Sequence, residues 1–301
     1  LVPSGDHPEA GRGHCGNAIC QYAEGEAGTS VSGSFRACMR SARVGSVCHL
    51  CLRGSALRSD MRAEAHRLGN RAFAQGGCGV KLVAENISRA YFRPGSNTNY
   101  FYALEKTDLS LEEGAVTALT GRSGSGKTTL SNVLVGLLTP TEGRVLAGGE
   151  DIYAMGDEKR SRFRNRHFGI IPQGHTPVMS LTVMENILLP SKMYSRPDAS
   201  GRARELMERL EIAELGDVFA SSLSGGELRR MAIVRALCTA PDIIIADEPT
   251  NDLDDVSVDS LLKILREEAD RGASVLMITH EEKAAKAADI RLRMERGTVK
   301  G

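Results

Sequence analysis

The stretch GRSGSGKTT, residues 121–129, sets glycines, a lysine and a threonine at the spacing G-x-x-x-x-G-K-T. Gly121, Gly124 and Gly126 permit a backbone that curls its amide hydrogens inward, a nest for phosphate oxygens. Lys127 supplies a point charge for the outer phosphates, and the Thr128 hydroxyl suits a magnesium ion bridging them. A partner acid is expected elsewhere, and PDIIIADEPT, residues 241–250, provides Asp247 and Glu248. Asp247 suits the magnesium shell, while Glu248 is placed to polarise a water for in-line attack on a terminal phosphate. A second anion-binding start follows at SSLSGGELRRMAIVRAL, residues 221–237, where Ser224, Gly225 and Gly226 precede Glu227. One chain thus carries two phosphate sites about a hundred residues apart.

These residues need particular elements behind them. GAVTALTGRSGSGKTTLSNVLVGLL reads as a buried strand over 115–120, the glycine loop, then a helix whose dipole adds positive charge at the loop. Pro241 ends a helix, and 243–246 form a continuous apolar strand that delivers Asp247 and Glu248 at its carboxyl end, where open α/β sheets place ligands. Ser224 and Glu227 have capping-box spacing. The helix behind them repeats Leu228, Met231, Val234 and Cys238 as a buried stripe, with Arg229 and Arg230 off it, so Cys238 is a core residue. Ser180 is expected to cap LTVMENILL, and ASGRARELMERL places Ala203, Leu206, Met207 and Leu210 on one helix face. Ser274 to Thr279 read as another apolar strand, ending before His280.

With these stretches in order, the chain resembles the ATP-binding subunits of ABC transporters over about residues 80–301. GRSGSGKTT looks like Walker A, IIPQG carries the Q-loop glutamine, LSGGE is the signature loop, IIIADEPT looks like Walker B, NDLD is the D-loop and MITH ends in the switch histidine. The resemblance implies a P-loop α/β fold with a mostly parallel sheet core, an antiparallel β region near its start and an α-helical subdomain over about 174–235. It implies ATP held by Gly121, Ser123, Gly124, Ser125, Gly126, Lys127, Thr128 and Thr129, with an adenine-stacking aromatic in RAYFRPG. Tyr91 is the first choice, with Phe92 and the 100–102 cluster behind it. Magnesium (Mg2+) would be held by Thr128, Gln173 and Asp247, and catalysis carried by Glu248, His280 and Gln173. Ser224, Gly225 and Gly226 would close over the ATP of a second subunit packed head to tail, and Asp254 would shape that interface. Each chain would then carry half of two sites, which answers the duplication. Two positions depart from the usual pattern: Glu227 stands where relatives often have glutamine, and Pro172 where an aromatic is more usual before the Q-loop glutamine.

The bulk composition fits a globular protein, with 41% hydrophobic residues in 301. Lys plus Arg balance Asp plus Glu at 38 each, so no global field draws the chain to nucleic acid or an anionic membrane. No run of about 18 apolar residues occurs, which excludes a membrane-spanning helix and leaves any work at a membrane to a partner. Residues 1–78 differ from the rest: they hold six of the seven cysteines, nine arginines and no lysine, without a sustained period. HCGNAIC and CHLC there offer zinc-type ligands at poor spacing, and the expectation is a disordered leader or sequence from a start placed too early, Met61 offering an internal one.

The resemblance is nearest to ATPases of the lipoprotein-release and macrolide- or peptide-efflux type, on SGKTT, SLTVMENILLP and ADEPTNDLD. It implies Mg-ATP hydrolysis, dimerisation on ATP, a homodimer partner and a separate integral membrane permease, with the chain on the cytoplasmic face of the cell membrane. The alternative is a cell-division ATPase that works a membrane lever without moving a solute. Soluble ABC ATPases of DNA repair or translation need twin cassettes or long coiled coils, which this sequence lacks. On the short tail after His280, the regulatory domain of sugar-import ATPases is not expected.

Overall fold

The computed structural model describes residues 80–94, 99–174 and 176–301. The expectations for residues 1–78, including the cysteine pairs and Met61, lie outside the described residues.

The strands are β1 (Leu82–Phe92), β2 (Tyr100–Leu111), β3 (Val116–Gly121), β4 (Glu142–Ala147), β5 (Glu150–Asp151), β6 (Phe168–Ile171), β7 (Ile243–Asp247), β8 (Ser274–Ile278), β9 (Ile290–Glu295) and β10 (Thr298–Lys300). The α-helices are α1 (Lys127–Leu134), α2 (Asp157–His167), α3 (Val183–Met193), α4 (Ser200–Arg209), α5 (Gly225–Leu237), α6 (Asp255–Asp270) and α7 (Glu282–Lys286). Two sheets result. A six-stranded sheet runs in the order β10-β9-β3-β8-β7-β6, and a four-stranded one in the order β2-β1-β4-β5. In the larger sheet β9, β3, β8, β7 and β6 are parallel, and only β10 is antiparallel to its neighbour. The smaller sheet is antiparallel throughout. This is the P-loop α/β architecture expected from the sequence.

The near-continuous apolar runs of β7 and β8 follow from burial on both faces. Side chains alternate across a strand. Leu119, Ile243, Ile245, Leu276 and Ile278 therefore join one apolar cluster with α1 and the antiparallel sheet. Val116, Ile244, Ala246, Val275 and Met277 join the other, with residues of α3, α4, α5 and α6. Because the strands are parallel, the ends of β3, β6, β7 and β8 lie along one edge, and the residues that follow them are the candidate chemical groups.

The helices correct two local expectations. Thr182, not Ser180, caps α3: its hydroxyl accepts from the Glu185 amide at 3.2 Å, and the Glu185 carboxylate accepts from the Thr182 amide at 2.9 Å. The pattern T-x-x-E supplies a second side chain to the cap, which Ser180 has no acid to match. In α5, Met231, Val234 and Cys238 are buried and Leu228 is partly so, but Arg229 is fully buried as well. Packed against α3, α4 and β6, α5 has little free face, so the single-stripe expectation was too narrow. On α4, Ala203, Leu206 and Met207 are buried, as is Leu210 just after it. No helix among the described residues is long and apolar enough to cross a membrane.

Candidate active site

The phosphate loop joins β3 to α1. Its turn needs left-handed backbone at Gly124 (φ 75°) and Gly126 (φ 106°). A Cβ on Gly126 would run into the Ala103 carbonyl oxygen of β2, so only glycine fits there. Gly121 is equally confined, with a Cβ meeting the Met294 carbonyl oxygen at 2.6 Å. Lys127 is buried, 8% exposed, and its Nζ donates to the carbonyl oxygens of Gly121 (2.8 Å) and Arg122 (3.0 Å). The lysine thus braces the loop it belongs to. Ser125 Oγ is buried with no hydrogen-bond partner. Ser123 and Thr128 are exposed and Thr129 half-buried.

Thr128 Oγ1 donates to Asp247 Oδ2 at 3.0 Å, so the structure brings together the two groups expected to hold a metal. Asp247 is 4% exposed, and its burial pushes the carboxyl upward against the Thr128 hydrogen bond, with the neighbouring Glu248 charge adding to the rise. A nearby cation would reverse that balance.

Glu248 follows β7 in the left-handed region (φ 48°), with its amide donating to the Ile278 carbonyl at 2.8 Å. A glutamate at positive φ is strained, and such strain collects at functional sites. Three side chains converge on its carboxylate. Gln173 Nε2 donates to Oε2 at 3.0 Å, Asn251 Nδ2 donates to the same oxygen at 2.8 Å, and His280 Nδ1 lies 3.5 Å from Oε1. Burial alone would raise this carboxyl, but the hydrogen bonds from Asn251 and Gln173 and the histidine's charge outweigh it, so Glu248 is held below the usual glutamate value. That direction favours the ionised carboxylate. Gln173, Glu248 and His280, which stand far apart in sequence, therefore meet at one point. Asn251 was not foreseen as a carboxylate partner; its place in a short polar turn three residues after Glu248 was the available signal.

Arg229 was also missed, having been placed off the buried stripe. Its Nε donates to the Pro249 carbonyl (3.2 Å) and Nη2 to that of Asp247 (3.0 Å) and also of Glu248, while Nη1 donates to that of Pro172. Pro172 lacks an amide hydrogen, but its carbonyl oxygen anchors the strand before Gln173.

The signature loop is separate from this cluster. Ser224 caps α5 through the expected box: the Glu227 carboxylate accepts from the Ser224 amide and hydroxyl, both at 2.7 Å, and the Glu227 amide reaches Ser224 Oγ at 3.4 Å. Among the described residues, no hydrogen bond or ion pair joins Ser224, Gly225 or Gly226 to the loop at 121–129. Gly226 instead abuts the D-loop, where a Cβ would lie 2.9 Å from the Asp252 carbonyl oxygen. Asp254 accepts from the Ser257 amide at 2.8 Å as the cap of α6, and lies 3.7 Å from Arg230. Tyr91 stacks on Phe101 with centroids 5.7 Å apart, and the Arg89 guanidinium lies 5.0 Å from its centroid. Phe92 is more exposed, at 64%.

The residues fit a magnesium-bound nucleoside triphosphate. The loop turns through left-handed glycines at 124 and 126, a Cβ on Gly124 would meet nothing within 4 Å so that the loop is open there, and Ser125 Oγ is a buried polar atom of the loop with no hydrogen-bond partner. Thr128 and Asp247 present hard oxygen donors in contact with each other, the kind of set magnesium takes alongside substrate phosphates.

Comparison with known proteins agrees. Residues 104–251 match the family description "ABC transporter". The chain is 39% identical over 223 residues to the lipoprotein-releasing system ATP-binding protein LolD 1 of Caulobacter vibrioides, covering 72% of this chain and 94% of that one. It is 36% identical over 221 residues to the uncharacterized ABC transporter ATP-binding protein MJ1508 of Methanocaldococcus jannaschii, covering 72% and 97%. Among solved structures, the dimeric MJ0796, a bacterial ABC transporter cassette, aligns with a TM-score of 0.69 at 28% identity, over 73% of this chain and 97% of that one. The same cassette in a dimeric post-hydrolysis state bound to ADP and Pi aligns with a TM-score of 0.68. With phosphate loop, acidic strand end and signature helix all in place, the chain belongs to the ATP-binding cassettes of ABC transporters and is an ATPase of that family.

Proposed function

We propose that this chain binds and hydrolyses Mg-ATP as one half of a head-to-tail dimer that drives a separate membrane permease, in a lipoprotein-release or related efflux system. The observation that carries this reading is the Glu248 carboxylate, held by Gln173, Asn251 and His280 beside the Thr128–Asp247 pair.

The roles divide along the geometry. The amides of 121–129 and Lys127 hold the phosphates, with Ser123, Ser125 and Thr129 contributing hydroxyls. Thr128, Asp247 and Gln173 would hold magnesium, which when bound neutralises phosphate charge. Glu248 orients and deprotonates the attacking water, and His280, 59% exposed at its side chain, faces the terminal phosphate. Tyr91 serves as the adenine platform.

Sharing of sites is supported by the signature loop's isolation from its own phosphate loop. The first amides of α5 have no partner within the helix, and the Ser224–Glu227 box accounts for only part of them. Gly225 and Gly226 leave the backbone open to a phosphate on a neighbouring chain. The cassette it resembles is dimeric, which supports a pairing of two such chains. The names of the relatives favour lipoprotein release, and the permease would hold the chain at the inner face of the membrane. We assign residues 79–301 to the ATP-binding domain and about 174–235 to its permease-facing helical subdomain, with 1–78 dispensable for the ATPase.

Glu248→Gln keeps the size and one oxygen that can accept from Gln173 and Asn251, but removes the base. Hydrolysis should fall by about a hundredfold or more while ATP binding persists. Light scattering should then find a dimer at saturating ATP. A strictly monomeric Glu248→Gln protein, with its permease supplied, would sink the proposal.

A further inference from the structure

Arg229 has no exposed surface, although α5 places it only one turn beyond Ser224. A buried guanidinium is a costly way to fill space, and a well-packed apolar side chain would often serve stability as well. What Arg229 gains is geometry: its planar fork donates to four main-chain carbonyls. Three belong to Asp247, Glu248 and Pro249, straddling the residue held at φ 48°. The fourth belongs to Pro172, next to Gln173, whose amide donates to Glu248 at 3.0 Å. One side chain therefore ties the main chain beneath both partners of that hydrogen bond.

We propose that Arg229 is a positioning residue for hydrolysis, tying the signature helix to the Glu248 and Gln173 of its own chain through the carbonyls of residues 172 and 247–249. This rests on the shared-site dimer proposed above. In that dimer the signature helix faces the partner's nucleotide while Arg229 acts on its own chain's carboxylate, so a movement at one site is transmitted to the other.

Cis action can be separated from an effect on the signature loop by mixed dimers of full chains carrying two affinity tags. A Lys127→Ala chain paired with a Ser224→Ala chain retains one complete site, and should keep about half of the wild-type ATPase. In a Lys127→Ala chain paired with an Arg229→Met chain, the surviving phosphate loop belongs to the chain lacking Arg229. That pair should run about tenfold or more below the Ser224 pair. If the two pairs are equally active, Arg229 acts only through the signature loop and the proposal is overturned.

The Arg229→Met homodimer gives a second measure: kcat should fall about tenfold while ATP affinity stays within about threefold of wild type. Unchanged kcat overturns the positioning role. An inactive Ser224 pair would remove the shared-site dimer, and the homodimer would still decide the role of Arg229. Arg229→Lys, which keeps the charge but reaches fewer carbonyls, should show an intermediate loss of kcat with unchanged ATP affinity. Loss of ATP binding in both variants would make Arg229 a residue of the fold and overturn the proposal.

Discussion

Glu248 is strained in its backbone and restrained at its carboxylate, and Asn251 links the two. The Asn251 amide donates to the Glu248 carbonyl at 3.2 Å, closing the turn, and its side chain donates to the carboxylate at 2.8 Å. A base that must be ionised and aimed benefits from both contacts. Asn251→Ala should therefore lower kcat by about tenfold with little change in ATP affinity, because the phosphate loop is untouched. Asn251→Asp should lower it further by placing a like charge beside Glu248. A steady-state kcat equal to wild type in the alanine variant would remove Asn251 from the site. Sequence made the types at 173, 248 and 280 legible through their motifs, since those chemistries occupy fixed places relative to strand ends. It did not reveal Asn251, because a polar residue in a turn is ordinarily solvated and only the φ of Glu248 folds this one back.

At the scale of elements, the apolar runs of β7 and β8 and the capping box of α5 were readable because each has a local cause: burial on both faces, and reciprocal hydrogen bonds over one turn. The arginine in α5 was not, because periodicity assumes one buried face, whereas Met231 to Leu237 is apolar except at Arg235 and is enclosed by α3, α4 and β6. The same helix carries a pH signature. The Ser224 hydroxyl and amide hold the Glu227 carboxyl below its ordinary value of 4.5. A depressed folded value stabilises the protein above the unfolded value and loses that contribution as pH falls through the folded one. Glu227→Gln can still complete the box but carries no charge at the helix start. Wild type should thus be slightly more stable than Glu227→Gln at neutral pH, and the difference should vanish below the glutamate's folded value. Urea unfolding across pH 7 to about 3 measures it. A difference that stays constant through that window would show that the charge at position 227 contributes nothing to α5.

At the scale of the whole molecule, among the described residues both apolar clusters draw their buried members from Leu82 to Met294, and the strands and helices that bear the site, from β3 to β8, lie within the same span. Contacts between distant elements hold that span together. Arg202 of α4 pairs with the buried Glu268 of α6, while Arg209 and Glu267 join the same two helices with two hydrogen bonds of 2.7 and 2.8 Å. The α4 segment is thereby fixed to α6 beneath the sheet that carries Glu248. If residues 1–78 contribute nothing to this core, a chain starting at residue 79 should unfold with an unchanged denaturant slope, since the slope scales with the surface exposed by the core's unfolding. Its ATPase should also remain within about twofold of the full chain's, because every group proposed to touch nucleotide, magnesium or the attacking water lies after residue 79. Loss of cooperative unfolding, or of ATP binding, in the shortened chain would mean that residues before 79 complete the core or the site, and the proposed domain boundary would fall.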